Sequence, residues 1–302
     1  MSCHGDIHGG KTNTGAETST KGGGGAGAAR ASGLRRQHHQ SLLMLRLSDV
    51  YWVCWREIKR FVGQKVRILM TVVQPLIWLV FVGNTMSGLT SNPFAARILG
   101  VNNYLAFMTP GIMIMTALFG GIFGGMSIVW DRRLGLLNKM LAAPISRAAI
   151  PLGKMLAAGL QSMLQVAIIT AMAMILGVRF ACGAPGFLLI LVIVFLFSCG
   201  LSGISLSFAA VIKSHETLMA TVNFLTMPMM FTSNAMFPTE AMPAWLRTIA
   251  RWNPLSYAVG PIRTLTTRGL VWGQVVPGLV AMFAFALVMS AIAARQFERS
   301  TG

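Results

Sequence analysis

Six stretches of this 302-residue chain, at about residues 68–86, 104–129, 155–178, 186–212, 218–237 and 275–294, contain no Asp, Glu, Lys or Arg. Each is long enough to cross a hydrocarbon layer, which takes about 20 helical residues. Backbone N–H and C=O groups in lipid must find partners within the protein, so uncharged spans of this length are read as helices. Pro75, Pro110, Pro228 and Pro277 fall in four of the six. A membrane helix tolerates proline when neighbouring groups satisfy the freed carbonyl. Composition agrees, because 54% of residues are hydrophobic and 11% charged, against about 25% charged in soluble domains. The predicted fold class is an all-α membrane protein with six transmembrane helices.

The formal charge of +17 would point to nucleic acid in a soluble protein. Here the bases lie between apolar runs, so no nucleic-acid partner is expected. With the N-terminus inside, the cytoplasmic side collects 19 Lys and Arg against 6 outside. Leaving out Lys11, Lys21 and Arg30, far from any span, keeps the ratio at 16 to 6. The positive-inside rule then puts both termini in the cytoplasm of a multi-pass protein of the inner (plasma) membrane. No signal-peptide core is found in the first 40 residues, so the first span is expected to direct insertion.

Residues 1–41 are rich in Gly, Ser, Thr and Ala and are read as a disordered cytoplasmic tail. Cys3, His4, Asp6 and His8 could hold a metal, but such groups on a flexible terminus more often bind nothing, and His38 and His39 are read the same way. Cys54, Cys182 and Cys199 form no CxxC pair, so no metal site is assigned. Residues 42–302 form the membrane domain. It opens with a helix at 43–67 in which Leu47, Val50, Tyr51, Cys54, Ile58, Phe61 and Val62 recur at helical spacing. Its Trp52, Trp55 and intervening bases suit the headgroup boundary, so it is expected to lie at the membrane interface; a solvated charge run is the alternative.

No Asp, Glu or His lies within a predicted span. Asp131, Glu216 and Glu240 are placed in loops, Glu57 on the interfacial helix, and His215 in the short loop Ser214-His215-Glu216. Acid–base chemistry and ion coupling are therefore unsupported. A P-loop is missing too: at Gly153-Lys154 the first glycine position is Ala148 and the hydroxyl position is Met155. This chain is expected to bind no nucleotide or other cofactor and to be no enzyme.

Two connecting segments are unusual. In 131–143, Asp131 can cap a helix on which Leu134, Leu137 and Leu141 share a face, and Pro144 stops it. From composition alone, a helix lying on lipid fits better than one docked on protein. The outer segment 237–273 is too apolar for a plain watery loop, with Phe237-Pro238 and Met242-Pro243-Ala244-Trp245 followed by Asn253-Pro254-Leu255-Ser256-Tyr257. Short re-entrant helices are expected there, with a structured loop as the alternative.

Together these pieces resemble the permease subunits of type-2 ATP-binding-cassette exporters, daunorubicin-resistance-type branch, over Leu47 to Glu298. The match is carried by Tyr104-Leu105 with Pro110-Gly111, by Asp131 to Gly135 leading into Ala143-Pro144-Ile145-Ser146-Arg147, and by Asn253-Pro254-Leu255-Ser256-Tyr257 with Arg263. The resemblance implies that 131–143 is a coupling helix seated on a separate ATPase. Asp131, Arg132, Arg133, Leu134, Gly135, Leu137, Lys139, Leu141 and Pro144 would then be the docking residues, with Leu137 the central apolar knob. It further implies a second permease copy, with ATP and Mg held by the partner ATPase. Pro238, Pro243, Trp245, Asn253, Pro254, Tyr257 and Arg263 form the corresponding outer-segment motif.

The function so implied is export of a hydrophobic or amphipathic substrate (drug, lipid or polysaccharide), with closure of the ATPase dimer pushing on the coupling helix. Its pathway would carry generic groups such as Thr116, Ser127, Ser162, Thr170 and Asn223. The alternative is a membrane-embedded lipid-modifying enzyme, motivated by the interfacial helix and the outer segment but lacking an acid–base set.

Overall fold

The computed structural model describes residues 47–90, 104–143, 145–212, 214–235 and 242–301. The tail, Pro144 and Pro238 lie outside the described residues. Ten helices follow one another among those described: α1 (Leu47–Gly63), α2 (Lys65–Thr90), α3 (Tyr104–Arg133), α4 (Leu136–Ala142), α5 (Ala149–Ile175), α6 (Gly183–Val211), α7 (His215–Phe231), α8 (Ala244–Trp252), α9 (Pro254–Arg268) and α10 (Trp272–Thr301). By length and composition α3, α5, α6 and α10 can each cross a membrane, and α1 with α2, bent by 71° at their junction, would make a fifth span. The protein is a multi-pass, all-helical membrane protein in its described part.

At the centre, α3 packs on both α5 and α6, with α10 on the far side of α6 and α1 laid along α5. Lipid tails are as apolar as leucine, so close backbone approach must hold such helices together. Four glycines of α3 provide it on two faces. A Cβ on Gly120 would lie 2.5 Å from Ser162 Oγ and one on Gly124 2.5 Å from the Ala158 Cβ, both on α5. One on Gly121 or Gly125 would lie 2.6 Å from the carbonyl oxygen of Ser198 or Ser202, both on α6. Two interleaved GxxxG repeats, offset by one residue, thus seat α3 against two neighbours at once. Where α5 meets α6, Ser162 and Ser198 share a hydrogen bond of 2.8 Å, and Ser198 Oγ donates to the Ala158 carbonyl at 3.3 Å.

Several boundaries differ from the sequence-based expectation. α5 begins at Ala149, ahead of the expected 155, because Lys154 is taken into the helix and buried. α7 ends at Phe231, ahead of the expected 237, because the chain turns back at Thr232. α1 ends at Gly63, ahead of the expected 67, and uses two faces. Val50, Val53, Cys54, Glu57 and Phe61 are buried, whereas Tyr51, Trp52, Trp55 and Val62 are exposed. The described part of the outer segment forms two helices, α8 and α9, joined at Asn253, and α9 packs against α10, α3 and α6.

Gly121→Val should cost about 1–3 kcal/mol, since a branched side chain would push on the Ser198 backbone. Gly260→Ala, in α9 with nothing within 4 Å of the added carbon, should hold or gain stability by about 0.5–1 kcal/mol. Thermal unfolding of the two variants in detergent checks this pair.

Candidate functional site: an ion knot at the α3–α4 elbow

The last turn of α3 carries Asp131, which is fully buried. A carboxylate survives out of water only when cations and donors surround it, and here three neighbours do. Lys154 Nζ of α5 donates to Asp131 Oδ2 at 2.5 Å, Arg60 of α1 donates to Oδ1 at 2.9 Å, and Arg56 of α1 stands 3.4 Å from Oδ2. Lys154 is 1% exposed, and its two remaining N–H groups reach Glu57 Oε1 and Ser127 Oγ, each at 2.9 Å. Glu57 also accepts from Arg56 at 2.6 Å. All three ammonium hydrogens are thereby used, and α1, α3 and α5 are tied at one point. Burial by itself would push the Glu57 carboxyl up. The charge and hydrogen bond of Lys154, aided by Arg56, outweigh that and hold it below its ordinary value.

The chain leaves this knot by a sharp turn. Leu134 N–H donates to the Trp130 carbonyl and Gly135 N–H to that of Arg132, at 3.0 and 3.1 Å. Gly135 has φ 67°, in the left-handed region that favours glycine at helix ends. Only then does α4 start. A single helix over 131–143 is therefore not formed. Asp131 is no N-cap but part of α3, and its pairing with Lys154 and Arg60 is what lets the span continue through it.

Leu137, expected to face a partner, is 3% exposed and belongs to this chain's own core, with Met140 and Leu141 packed alongside. The exposed side consists of Arg133, Leu134, Asn138, Lys139, Ala142 and Ala143, while Arg132 is half-buried. Arg133 lies over the Trp130 ring, 5.8 Å from its centroid. α1 holds this elbow from both sides: Arg56 reaches Met140 Sδ, and Asp49 Oδ2 accepts the Ser146 N–H at 3.2 Å.

Beside the knot lies a cavity of about 670 Å³ between α2, α3, α5 and α7. Glu57, Arg60, Lys154 and His215 line it, as do Thr71, Gln74, Gln161 and Gln165, with methionine and aromatic walls including Met115, Phe119 and Phe123. Of the five pathway groups expected from sequence, Thr116 and Ser127 line this cavity. Ser162 and Thr170 are buried in hydrogen bonds between or within helices, and Asn223 is exposed. His215 is not a loop residue: it opens α7, its ring 4.9 Å from that of Trp130. The three glutamines went unnoticed because an amide in an apolar run gives no charge signal.

In the outer segment Pro243 precedes α8 and Trp245 is exposed. Pro254 takes the first turn of α9, and Tyr257 is exposed. Asn253 is buried at the N-cap of α9, and Arg263 lies over the Phe107 ring at 4.2 Å.

Lys154→Met should cost about 3–5 kcal/mol, because it strands two buried carboxylates. Arg60→Ala should cost less, about 1–3 kcal/mol, since it strips the buried Asp131 Oδ1 of its partner but leaves Lys154 in place and lets water reach the half-exposed Arg60 site. A carboxyl whose value is lowered on folding stabilises the protein above its unfolded value, near 4.3, and loses that contribution as pH falls through the folded value. In Lys154→Met the main lowering influence on Glu57 is gone and burial pushes its carboxyl up, so acidification should relieve the stranded charge and narrow the stability gap between variant and parent. Thermal unfolding recorded from pH 3 to 7 for parent and variant reads both effects.

The family described as ABC-2 type transporter matches residues 48–267, from α1 into α9. A transport permease, ycf38, of Cyanophora paradoxa is 33% identical over 204 residues, covering 66% of this chain and 68% of that protein. The daunorubicin resistance ABC transporter permease protein DrrB1 of Streptomyces coeruleorubidus is 26% identical over 237 residues, 76% of this chain and 81% of that one. A doxorubicin resistance ABC transporter permease, DrrC, of Mycobacterium tuberculosis is 21% identical over 248 residues, 82% and 87% of the two chains.

Proposed function

The chain belongs to the ABC-2 type transporter family, and on that premise we propose that it is the permease subunit of an ATP-driven exporter. The single observation that carries the mechanism is the knot of Lys154, Asp131 and Glu57 at the elbow where α4 leaves α3. A rigid, fully paired joint there passes a push on α4 into α3 and α5. Those two helices wall the cavity, so a displacement of α4 reshapes the space a substrate would occupy. In this reading α2, α3, α5, α6, α7 and α10 are the six spans. α7, at 17 residues, covers about 26 Å, which nearly crosses a core of about 30 Å.

A separate ATPase holds ATP and Mg and seats on the exposed side of α4, and a second permease copy completes the exporter. The N-terminus and α4 face the cytoplasm and α8 faces outward, as the 16 to 6 distribution of bases supports. The substrate is hydrophobic or amphipathic, as suits a cavity with methionine and aromatic walls, uncharged polar groups among them, and the charged groups Glu57, Arg60 and Lys154 at one end. That transport permeases are among the relatives supports this reading over a lipid-modifying enzyme.

Docking is tested with a pair of leucines on one short helix. Leu134 is 61% exposed and Leu137 3%. At equal expression, Leu134→Asp should lose co-purification of the ATPase by tenfold or more while the permease stays folded, since about 1.5–3 kcal/mol of side-chain burial is forfeited. Leu137→Asp should instead unfold the permease itself. ATPase retained by Leu134→Asp would overturn the assignment of this face. For topology, a single cysteine at Thr248 should react with an impermeant thiol reagent outside intact cells, and one at Asn138 should not.

A further inference from the structure

The outer-segment motif does more than shape its own helix. After α7 the chain turns through 232–235, and within this strap Ser233 and Ala235 are fully buried. The strap is seated on α3: a Cβ on Gly111 would lie 2.2 Å from the Ala235 carbonyl oxygen. Gly111 and Ala235 both line the cavity, together with Met108 and Met230. Their end of the cavity lies opposite the one lined by Glu57 and Lys154, because Gly111 is near the start of α3 and Ser127, at the knot, near its finish.

Three side chains from the junction and body of α9 grip the strap. Asn253 works in two directions, its Oδ1 accepting the Leu255 N–H at 2.9 Å to cap α9. Its Nδ2 donates to the Met229 carbonyl at 2.7 Å and to Thr232 Oγ1 at 3.0 Å. Ser256 Oγ accepts the Asn234 N–H at 3.4 Å, and Arg263 donates to the Asn234 carbonyl at 2.8 Å while its guanidinium covers the Phe107 ring. A helix cap needs only the Oδ1 contact. The donations to Met229, Thr232 and Asn234 add nothing to α9 and act wholly on the end of α7 and its strap.

We infer that Asn253 and Arg263 are positioning residues of a latch that holds the strap 232–235 as the outer stopper of the cavity, so that release of α9 from the strap opens the exit. The inference rests on the transport reading for its purpose, although the latch itself is a property of the folded chain. A stopper held by a few hydrogen bonds to backbone carbonyls can be let go by a small shift of α9. That shift is available to α9 because it packs on α10, α3 and α6, of which α3 also carries the knot.

The test uses the full chain in intact cells, with the native cysteines replaced and Ser233→Cys as reporter under an impermeant thiol reagent. Asn253→Asp keeps the cap acceptor and removes both Nδ2 donors. It should accelerate labelling on the order of tenfold, as the loss of two buried hydrogen bonds allows. Arg263→Ala should do the same, and Arg263→Lys, which restores a donor, should return part of the protection. Gly111→Ala, which wedges the strap without touching the latch, should also expose the reporter. A second reporter, Cys199 retained as the sole cysteine and buried between α5 and α6, should stay unreactive throughout. Unchanged labelling of Ser233→Cys in Asn253→Asp and Arg263→Ala overturns the latch, and so does equal acceleration at Cys199, which marks general loosening. Labelling needs neither substrate nor ATPase. A permease that shows no export but keeps this labelling pattern would therefore count against the transport reading and leave the latch standing.

Discussion

One ammonium group organises the end of this protein where α1, α3 and α5 meet. Lys154 is buried beside two carboxylates, and each of its three hydrogens has an acceptor on α1 or α3. An unpaired charge at that depth would be prohibitively costly, so these elements must come together in one register or fail to bury the group. Such knots add little net stability compared with well-packed apolar groups, because desolvation offsets attraction. What they confer is a unique geometry. Arg60 and Arg56, more exposed, screen the rim, and Arg56 and Asp49 extend the contact to α4 and Ser146. α1 is therefore a brace across the elbow.

The middle of the molecule obeys a different rule. With no water to drive apolar surfaces together, helix contacts depend on how near the backbones can come. The two glycine faces of α3 let α5 and α6 approach within reach of serine hydroxyls, which then hydrogen-bond across the gap or to a facing carbonyl. This packing makes α3 the member through which events at its two ends are joined: Asp131 in its last turn sits in the ion knot, while Phe107 and Gly111 near its start meet Arg263 and the strap.

Charged residues and helix ends set the limits of the cavity between those two points. Its walls are largely Met and aromatic side chains, soft enough to accommodate varied apolar shapes, with glutamines and hydroxyls spaced among them. At one end charged groups pair with charged groups, whereas at the other every acceptor is an uncharged carbonyl or hydroxyl oxygen.

The uncharged runs determined from the sequence alone that this is a membrane protein built of helices, because lipid permits little else. Base counting proposed its orientation, and the motifs at Asp131 and Asn253 drew attention to the two segments in which the ion knot and the cap of α9 lie. The paired glycines at 120–121 and 124–125 were also there to be read as a two-sided packing face. Tertiary structure alone decided where the charges go. A reading confined to local pattern rejects Lys154 from a span and makes Asp131 a cap, since each charge taken singly belongs in water. Only when three helices bring the two together with Glu57 does burial become affordable, and this moves the start of α5, the finish of α3 and the break before α4. Leu137 turned inward for a related reason: the stripe shared by Leu134, Leu137 and Leu141 shows which residues lie together, but the bend at Gly135 divides that stripe and decides which of them the core receives.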